Sequence, residues 1–425
     1  MQNNGICAYG YSSVLNPFLK IHSFALKMIL TNRQLFQQFL ALPSVVNDPI
    51  EIVRAAGIYL YDDKGREYVD LVSGVSVSNT GHLHPHVVSA IKNQVDQYMH
   101  TMVYGKFVQA PQVQLAQKLS GLLPDNLQSI YFVNSGSEAI EGALKLAKRL
   151  TGRAEMISFK NSYHGGTAGA LSMLGHEALK QAYRPLLPAV KHLEFNSIEQ
   201  LKTITNKTAC VLIEPIQAEA GIILPHTGFL QALRKRCDET GTLLIFDEIQ
   251  MGFGRTGSLF AFEQLGVIPD ILCMAKAMGG GLPLGAFAAS REMMNALTFR
   301  PELGHITTFG GHPVSCAASL ASLEVLLNEK LIEQADAKGK AFEDMLKNQS
   351  MVKEIRRKGL MLGVELDPEI PVGNLLKHLQ NNQLIVDQFL FHAHAFRIAP
   401  PLTITFDEIR KVVAMILKAL KTFNR

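Results

Sequence analysis

Residues 129–150, SIYFVNSGSEAIEGALKLAKRL, place a β-rich run directly before a segment whose apolar residues recur at helical spacing. Strand-like and helix-like segments continue to alternate after it. The further strand-like runs are EMISF (155–159), ACVLIEP (209–215), TLLIFDE (242–248) and DILCMA (270–275), and GFLQALRKRCDETG (228–241) reads as a helix. This alternation predicts an α/β fold, a mostly parallel sheet with helices on both faces. Ligands of such sheets bind at the carboxyl ends of the strands.

The pattern changes after about residue 312. Two long helical segments, strand material and a closing helix predict a smaller α+β domain over residues 316–425, against which residues 28–74 are expected to pack. The DDKG turn at 62–65 indicates a hairpin in that earlier segment. Residues 75–315 are then the large, ligand-binding domain. Residues 1–27 are expected to form a loosely held extension, with Met28 as an alternative start.

Composition excludes several classes of protein. A content of 47% hydrophobic and 18% charged residues indicates a globular chain, and a net charge of +4 without a basic stripe disfavours nucleic acid as a partner. No run approaches the roughly 18 apolar residues that a membrane-spanning helix needs. Five scattered cysteines without a C-x-x-C pair predict reduced thiols in a cytoplasmic protein.

Two polar features follow predicted strands. In NSGSEA (134–139), Gly136 and Ser137 open a helix, where free N–H groups and the helix dipole favour a phosphate. The alternative is an ordinary serine N-cap. Asp247 ends the TLLIFD strand, where desolvation requires a cation or strong donor as its neighbour, unless it too is a helix N-cap.

Lys276 is the single amine in the otherwise apolar AKAMGGG stretch. An apolar pocket would lower its pKa and make it a nucleophile suited to Schiff-base chemistry, whereas a snorkelling lysine would reach water. SYHGG (162–166) and TTFGGHP (307–313) each place an aromatic residue beside glycines. Each could be a site where the aromatic stacks on a planar ring, or a tight turn beside a core aromatic. Thr308 could donate a hydrogen bond to a phosphate. Taken together, these parts are what pyridoxal 5′-phosphate requires.

The same motifs resemble those of the class III, fold-type I aminotransferases, from about residue 30 to the C-terminus. The agreeing motifs are GHLHPHV, NSGSEAIEGALKLA, SYHGGT, EPIQAEAG, DEIQMGFGRTG, DILCMAKAMGGGLPLG and TTFGGHP. The resemblance implies a large domain with a mostly parallel seven-stranded sheet and a smaller α+β domain built from both chain ends. It also implies a homodimer with its active site at the interface.

The resemblance assigns catalysis to Lys276, which would bind the cofactor aldehyde, and to Asp247, which would contact the pyridine nitrogen. The other cofactor-binding residues that it implies are Gln250 near the phenolic oxygen, Tyr163 stacked on the ring, Glu214, Gly136 and Ser137 on the phosphate, and Thr308 reaching the phosphate from the partner subunit.

The sequence departs from the family pattern where substrates bind. Gly166 stands where many members have an arginine that binds a substrate carboxylate, and Val75 stands where the ornithine enzymes have a tyrosine. Glu219 and Arg397 resemble a switch, in which the glutamate neutralises the arginine and swings away when 2-oxoglutarate binds. Arg255 is the one other arginine in the quoted motifs.

The sequence therefore predicts amino transfer from a primary amine, such as acetylornithine, 4-aminobutyrate or another ω-amino donor, to 2-oxoglutarate. A racemase or aminomutase on the same scaffold is the alternative, and a non-catalytic binding protein is a more remote one. No metal is expected, because HLHPH (82–86) and FHAHAF (391–396) lack the acidic or cysteine partners of a metal site. GFGRTG (252–257) lacks the crossover helix of a dinucleotide site.

Overall fold

The structure, a computed structural model, describes residues 30–46 and 48–423. The extension predicted for residues 1–27 and the alternative start at Met28 lie outside the described residues. The chain divides into two compact units. The first holds the described residues up to Arg54 together with Tyr61–Arg66, and the second holds Ala55–Leu60 and the residues from Glu67 onward. The domain boundaries given by the sequence, at residues 75 and 315, stay predictions.

The first unit contains helix α1 (Asn32–Phe39) and the DDKG turn. The helix begins with a capping box, in which the Thr31 hydroxyl accepts from the Gln34 N–H and the Gln34 side chain accepts from the Thr31 N–H. In the turn, Gly65 has a φ of +75° and donates to Asp62 O at 3.0 Å, which confirms the predicted turn. The strands before residue 75 are β1 (Ile52–Ala56), β2 (Tyr59–Asp62) and β3 (Glu67–Asp70).

Seven strands form the central sheet of the second unit. They are β4 (Ser129–Val133), β5 (Glu155–Phe159), β6 (Val190–Leu193), β7 (Thr208–Ile213), β8 (Leu243–Asp247), β9 (Ile271–Met274) and β10 (Gly285–Ala289). Their order is β4-β10-β9-β8-β7-β5-β6. β10 is antiparallel to both neighbours, and the other pairs are parallel. The predicted α/β fold with a mostly parallel seven-stranded sheet is confirmed.

Both faces of this sheet are buried, because alternate residues of each strand pack into two different cores. On β8, Leu244 and Phe246 belong to one hydrophobic cluster and Ile245 to the other. The helices are α2 (Pro85–Gln97), α3 (Ala110–Ser120), α4 (Gly136–Thr151), α5 (Ala168–Met173), α6 (Phe229–Thr240), α7 (Phe262–Leu265), α8 (Arg291–Asn295), α9 (Pro313–Asn328), α10 (Leu331–Leu346), α11 (Val372–Asn381) and α12 (Phe406–Thr422). The two long helices and the closing helix predicted after residue 312 are α9, α10 and α12.

A second sheet positions the arginine of the predicted switch. Its strands, in spatial order, are β11 (Val352–Lys358), β12 (Met361–Leu366), β15 (Ala395–Ile398) and β14 (Asp387–Gln388), while β13 (Leu384–Ile385) pairs with β3. Arg397 on β15 lies directly opposite Gly363 on β12 and Asp387 on β14. A Cβ atom at Gly363 would lie 2.8 Å from Gly221 O, so the glycine lets the segment that carries Glu219 approach this sheet.

No helix within the described ranges is long and apolar enough to cross a membrane. Four of the cysteines are free and buried, Cys210, Cys237, Cys273 and Cys316. Burial raises the pKa of the Cys210, Cys237 and Cys316 thiols to about 12, which keeps them protonated and poorly reactive.

Candidate active site

A cavity of about 420 Å³ lies where the central strands reach their carboxyl ends. Four of the predicted site residues line it: Gly136 and Ser137 after β4, Tyr163 after β5 and Lys276 after β9. Parallel strands bring these loops together although they are far apart in the sequence. The structure thus brings these four residues together in one cavity, and their contacts with a cofactor stay predictions.

Lys276 has a strained backbone and a buried amine. Its φ is +51°, a left-handed conformation that residues with a Cβ rarely adopt and that often marks a functional site. The amine donates to Gln250 Oε1 at 3.0 Å inside the protein, and burial lowers its pKa. Lys276 is therefore not a snorkelling surface residue. The Gln250 Nε2 atom is buried and has no hydrogen-bond partner among the described residues, so it has a donor to offer a ligand.

Asp247 is almost fully buried at the end of β8 and is fixed by two hydrogen bonds. Its Oδ2 lies 2.7 Å from His164 Nδ1, and its Oδ1 accepts from the Ile249 N–H at 3.0 Å. Because a carboxylate accepts, His164 donates from Nδ1, and its Nε2 faces the Ser158 hydroxyl at 3.3 Å. The contact between His164 and Asp247 was not predicted from the sequence. The available signal was its place beside Tyr163 in the SYHGG motif.

The loop after β4 packs tightly against the turn at Gly165. Ser135 caps α4, and its hydroxyl accepts from the Glu138 N–H at 3.2 Å. The Ser137 hydroxyl accepts from the Gly166 N–H at 3.2 Å, which leaves its own proton free to donate. A Cβ atom at Gly165 would lie 2.1 Å from Ser137 Oγ, so this turn fits only without a side chain. A phosphate fits such a helix N-terminus, with its free N–H groups and hydroxyl donor.

Glu214 lies behind the cavity wall and positions Tyr163. Its Oε2 accepts from the Tyr163 N–H at 3.1 Å, and its Oε1 accepts from the Ala218 N–H at 3.2 Å. Burial and the nearby Asp247 raise the pKa of Glu214 well above its usual value. Glu214 is not among the cavity-lining residues, so its direct contact with the cofactor stays a prediction.

Glu219 and Arg397 form a buried ion pair, with Arg397 Nη2 2.8 Å from Glu219 Oε2. The same carboxylate oxygen accepts from the Leu390 N–H at 3.2 Å. Arg397 Nε and Nη1 have no hydrogen-bond partner in the described chain. The arginine therefore keeps free donors for a carboxylate, provided that Glu219 gives way.

The cavity lining does not include Asp247, Gln250, Glu219 or Arg397, and it also lacks Val75, Gly166 and Thr308. Val75 is in a left-handed turn, Ser73–Ser76, with a φ of +63°, and Val77 lines the cavity instead. Gly166 faces open space, since a Cβ atom there would meet nothing within 4 Å. Thr308 is exposed and does not reach the cavity of its own chain. Its predicted contact with a partner's phosphate is untested.

Arg255 is a structural residue and not a second carboxylate anchor. It is fully buried and donates to Leu360 O, Pro400 O and the Asn79 side chain at 3.0, 2.6 and 2.5 Å, and to Ser73 Oγ at 3.2 Å. Burial lowers the pKa of its guanidinium to about 9, which leaves it charged at neutral pH. Arg255 thus joins the left-handed turn to two other segments.

The histidines of HLHPH each pair with a different acidic side chain. His82 contacts Asp70 at 2.8 Å, while His84 and His86 contact Glu329 and Glu324 at 3.0 and 2.8 Å. Within the described residues, no group of three or more His, Cys, Asp or Glu side chains is arranged to hold a metal ion.

Comparison with known proteins identifies one matching family model, similar sequences and similar solved structures. The model of the family described as Aminotransferase class-III matches residues 42–420. An acetylornithine aminotransferase from Methanopyrus kandleri is 40% identical over 375 residues, which cover 88% of this chain and 95% of the relative. An ornithine aminotransferase structure from Toxoplasma gondii, with pyridoxal phosphate at partial occupancy, is 29% identical with a TM-score of 0.83, covering 95% of this chain and 97% of the other. An aminotransferase from Bacillus anthracis has a TM-score of 0.86 at 26% identity, covering 93% and 100%.

Proposed function

Because this chain belongs to the class III aminotransferase family, whose members are pyridoxal 5′-phosphate-dependent transaminases, we propose that it moves an amino group from a primary-amine donor to 2-oxoglutarate by a ping-pong mechanism. The observation that carries the proposal is the Lys276 amine, which lines one cavity with Gly136, Ser137 and Tyr163. It also interacts electrostatically with the buried Glu219–Arg397 ion pair.

The residues present fit the cofactor. Gly136 and Ser137 would hold its phosphate, Tyr163 would cover one ring face and Gln250 would donate to the phenolic oxygen. Asp247, held by His164, would keep the ring nitrogen protonated. When bound, the cofactor supplies an electrophilic carbonyl and an electron sink for the carbon that loses its proton.

Lys276 would serve as both attachment point and proton carrier. Its lowered pKa increases the share of neutral amine, and neutral amine is the form that attacks a carbonyl or accepts a proton. The hydrogen bond to Gln250 holds Nζ in place. Asp247 and His164 stay fixed while the proton moves, since both are buried and mutually bonded.

Glu219 and Arg397 support the use of two different substrates in one site. With Glu219 in place the guanidinium is neutralised, which suits an amine donor without a carboxylate beside the reacting carbon. When Glu219 turns away, the free Arg397 donors would bind the carboxylate next to the carbonyl of 2-oxoglutarate.

The donor proposed is an ω-amine, of the acetylornithine or 4-aminobutyrate kind. The Methanopyrus kandleri relative supports acetylornithine as the first compound to test. The open space at Gly166 supports a donor whose far end is not held by an arginine at that place. A racemase or aminomutase would use the same lysine and remains the competing proposal.

The deciding experiment is a donor panel with purified holoenzyme. Acetylornithine, ornithine, 4-aminobutyrate and simple alkylamines are incubated with 2-oxoglutarate, and glutamate is measured. We expect at least one ω-amine to give glutamate, and borohydride to attach the cofactor to the Lys276 peptide, as read by mass spectrometry. Loss of optical activity of an amino acid without glutamate formation would replace transamination by racemisation.

We also propose a homodimer, which lets Thr308 act in the partner's site. The segments around residues 99–113 and 299–309 expose apolar side chains beside a surface cavity of about 680 Å³. Tyr104, Val113, Leu303 and Ile306 are among its lining residues, and exposed apolar area of this extent marks an interaction surface. The buried free thiols support the proposed cytoplasmic location.

Sedimentation equilibrium tests the dimer. We expect twice the 46.8 kDa chain mass for the native protein, and dissociation for Ile306→Asp, because a buried carboxylate would be unpaired. Ile198→Asp is the control, since Ile198 is similarly exposed (53% against 49%) but lies away from that surface. An active protein that sediments as a monomer would rule out the shared site.

A further inference from the structure

Arg397 faces two carboxylates, of which the proposed switch uses only one. In the second sheet Asp387 on β14 is directly opposite Arg397 on β15. Directly opposed residues of antiparallel strands project from the same face, with Cβ atoms about 5 Å apart. On the other side of Arg397 stands Gly363, which has no side chain. Asp387 is therefore the acidic neighbour that the sheet itself supplies.

The two carboxylates are held in different ways. Glu219 bonds directly to Arg397 and to the Leu390 N–H, and it lies on a loop outside the sheet. Asp387 Oδ1 instead accepts from the Gln388 N–H at 2.8 Å, and no hydrogen bond joins it to Arg397. Asp387 thus acts on Arg397 through its charge. Because its strand is part of the sheet, it stays in place when Glu219 leaves.

The charges of this group decide what binds beside it. One guanidinium and two carboxylates give a net charge of −1, which attracts the ammonium form of an amine donor. After Glu219 turns away, Asp387 still offsets the charge of Arg397. An incoming carboxylate then meets a neutralised pair and not a free cation.

We propose that Asp387 is a specificity-determining residue, which weakens the binding of carboxylates at Arg397 and so favours donors that carry no carboxylate beside the reacting amine. This inference rests on the proposed function, because it assigns Arg397 to the substrate carboxylate. It accounts for how one cavity distinguishes an ω-amine from an α-amino acid without an arginine at position 166.

Asp387→Asn tests the inference by removing the charge and keeping the shape. Calorimetric titration of the holoenzyme with glutarate, a non-reacting dicarboxylate, should show about threefold to tenfold tighter binding. The KM for 2-oxoglutarate should fall by a similar factor. With n-butylamine as donor, kcat/KM should stay the same or fall. The donor ratio, which is kcat/KM for an α-amino acid divided by kcat/KM for n-butylamine, should therefore rise.

Two variants separate charge from structure. Asp387→Glu keeps the charge and should retain the wild-type ratio. Asp367→Asn removes a carboxylate that likewise accepts a nearby backbone N–H (Glu369, 3.0 Å) but follows the end of β12, and it should change nothing. If Asp387→Asn does not fold, Asp387→Ser replaces it in the same assays.

The inference is overturned if glutarate binding and the donor ratio of the uncharged variants equal those of the wild type, or if Asp367→Asn has the same effect. Failure of the proposed function gives a different result. In that case no amine yields product, while the glutarate titration still reports whether Asp387 acts on Arg397.

Discussion

Replacing Lys276 with alanine is expected to lower kcat by about 10³-fold or more, because it removes the attachment point and the proton carrier together. The amine bonds to Gln250, and among the residues that the structure describes no other lysine lines the cavity. Initial rates with the best donor of the panel measure the loss. Borohydride labelling of that peptide should also disappear.

Lys338 provides the matched control for this change. It too is a buried lysine, with Nζ 2.6 Å from Leu402 O, but it lies outside the cavity lining. Lys338→Met should cost stability and keep the turnover per folded molecule. If Lys276→Ala kept more than about a tenth of the wild-type rate, Lys276 would not be the proton carrier.

Replacing Arg255 with methionine is expected to lower the free energy of unfolding by about 4 kcal/mol. Methionine fills much of the same volume, but it leaves the two carbonyl oxygens of Leu360 and Pro400 buried without their donor. It also frees the left-handed turn Ser73–Ser76, whose four residues all have positive φ. Urea denaturation followed by circular dichroism measures the change.

Arg410→Met is the control for that measurement. Arg410 is exposed on α12 and, within the described part of the chain, forms an ion pair with Asp407 alone, so its loss should change the free energy of unfolding by less than about 0.5 kcal/mol. An equal effect of both substitutions would mean that the contacts of Arg255 do not stabilise the fold.

Five of the seven central strands are continuous apolar runs bounded by polar residues and glycines, and the sequence pattern predicted these five but not β6 or β10. The strands it did not predict have physical reasons to be missed. β10 follows the glycine-rich GGGLPLG stretch, and β14 is only two residues long, too short to show a period. The sheet register that places Asp387 beside Arg397 is therefore invisible in the sequence.

Individual site residues could be predicted from their position at the ends of strands, but their hydrogen-bond and ion-pair partners could not. Asp247 and Lys276 stand out locally, as charged residues ending apolar runs. Their partners depend on tertiary structure: His164 is 83 residues from Asp247, and Glu219 is 178 residues from Arg397. The role of Arg255 was equally hidden, since a buried structural arginine and a substrate anchor look alike in a sequence.

The antiparallel course of β10 has a consequence for the amine of Lys276. β9 ends at Met274 and β10 begins at Gly285, and the two strands are hydrogen-bonded neighbours. Lys276 therefore sits on a short loop tied to the sheet at both ends. If a substrate amine displaced Lys276 from the cofactor, the lysine would stay tethered nearby at high effective concentration and would compete well with that amine. A longer loop would keep the Lys276 amine but lower its effective concentration at the site.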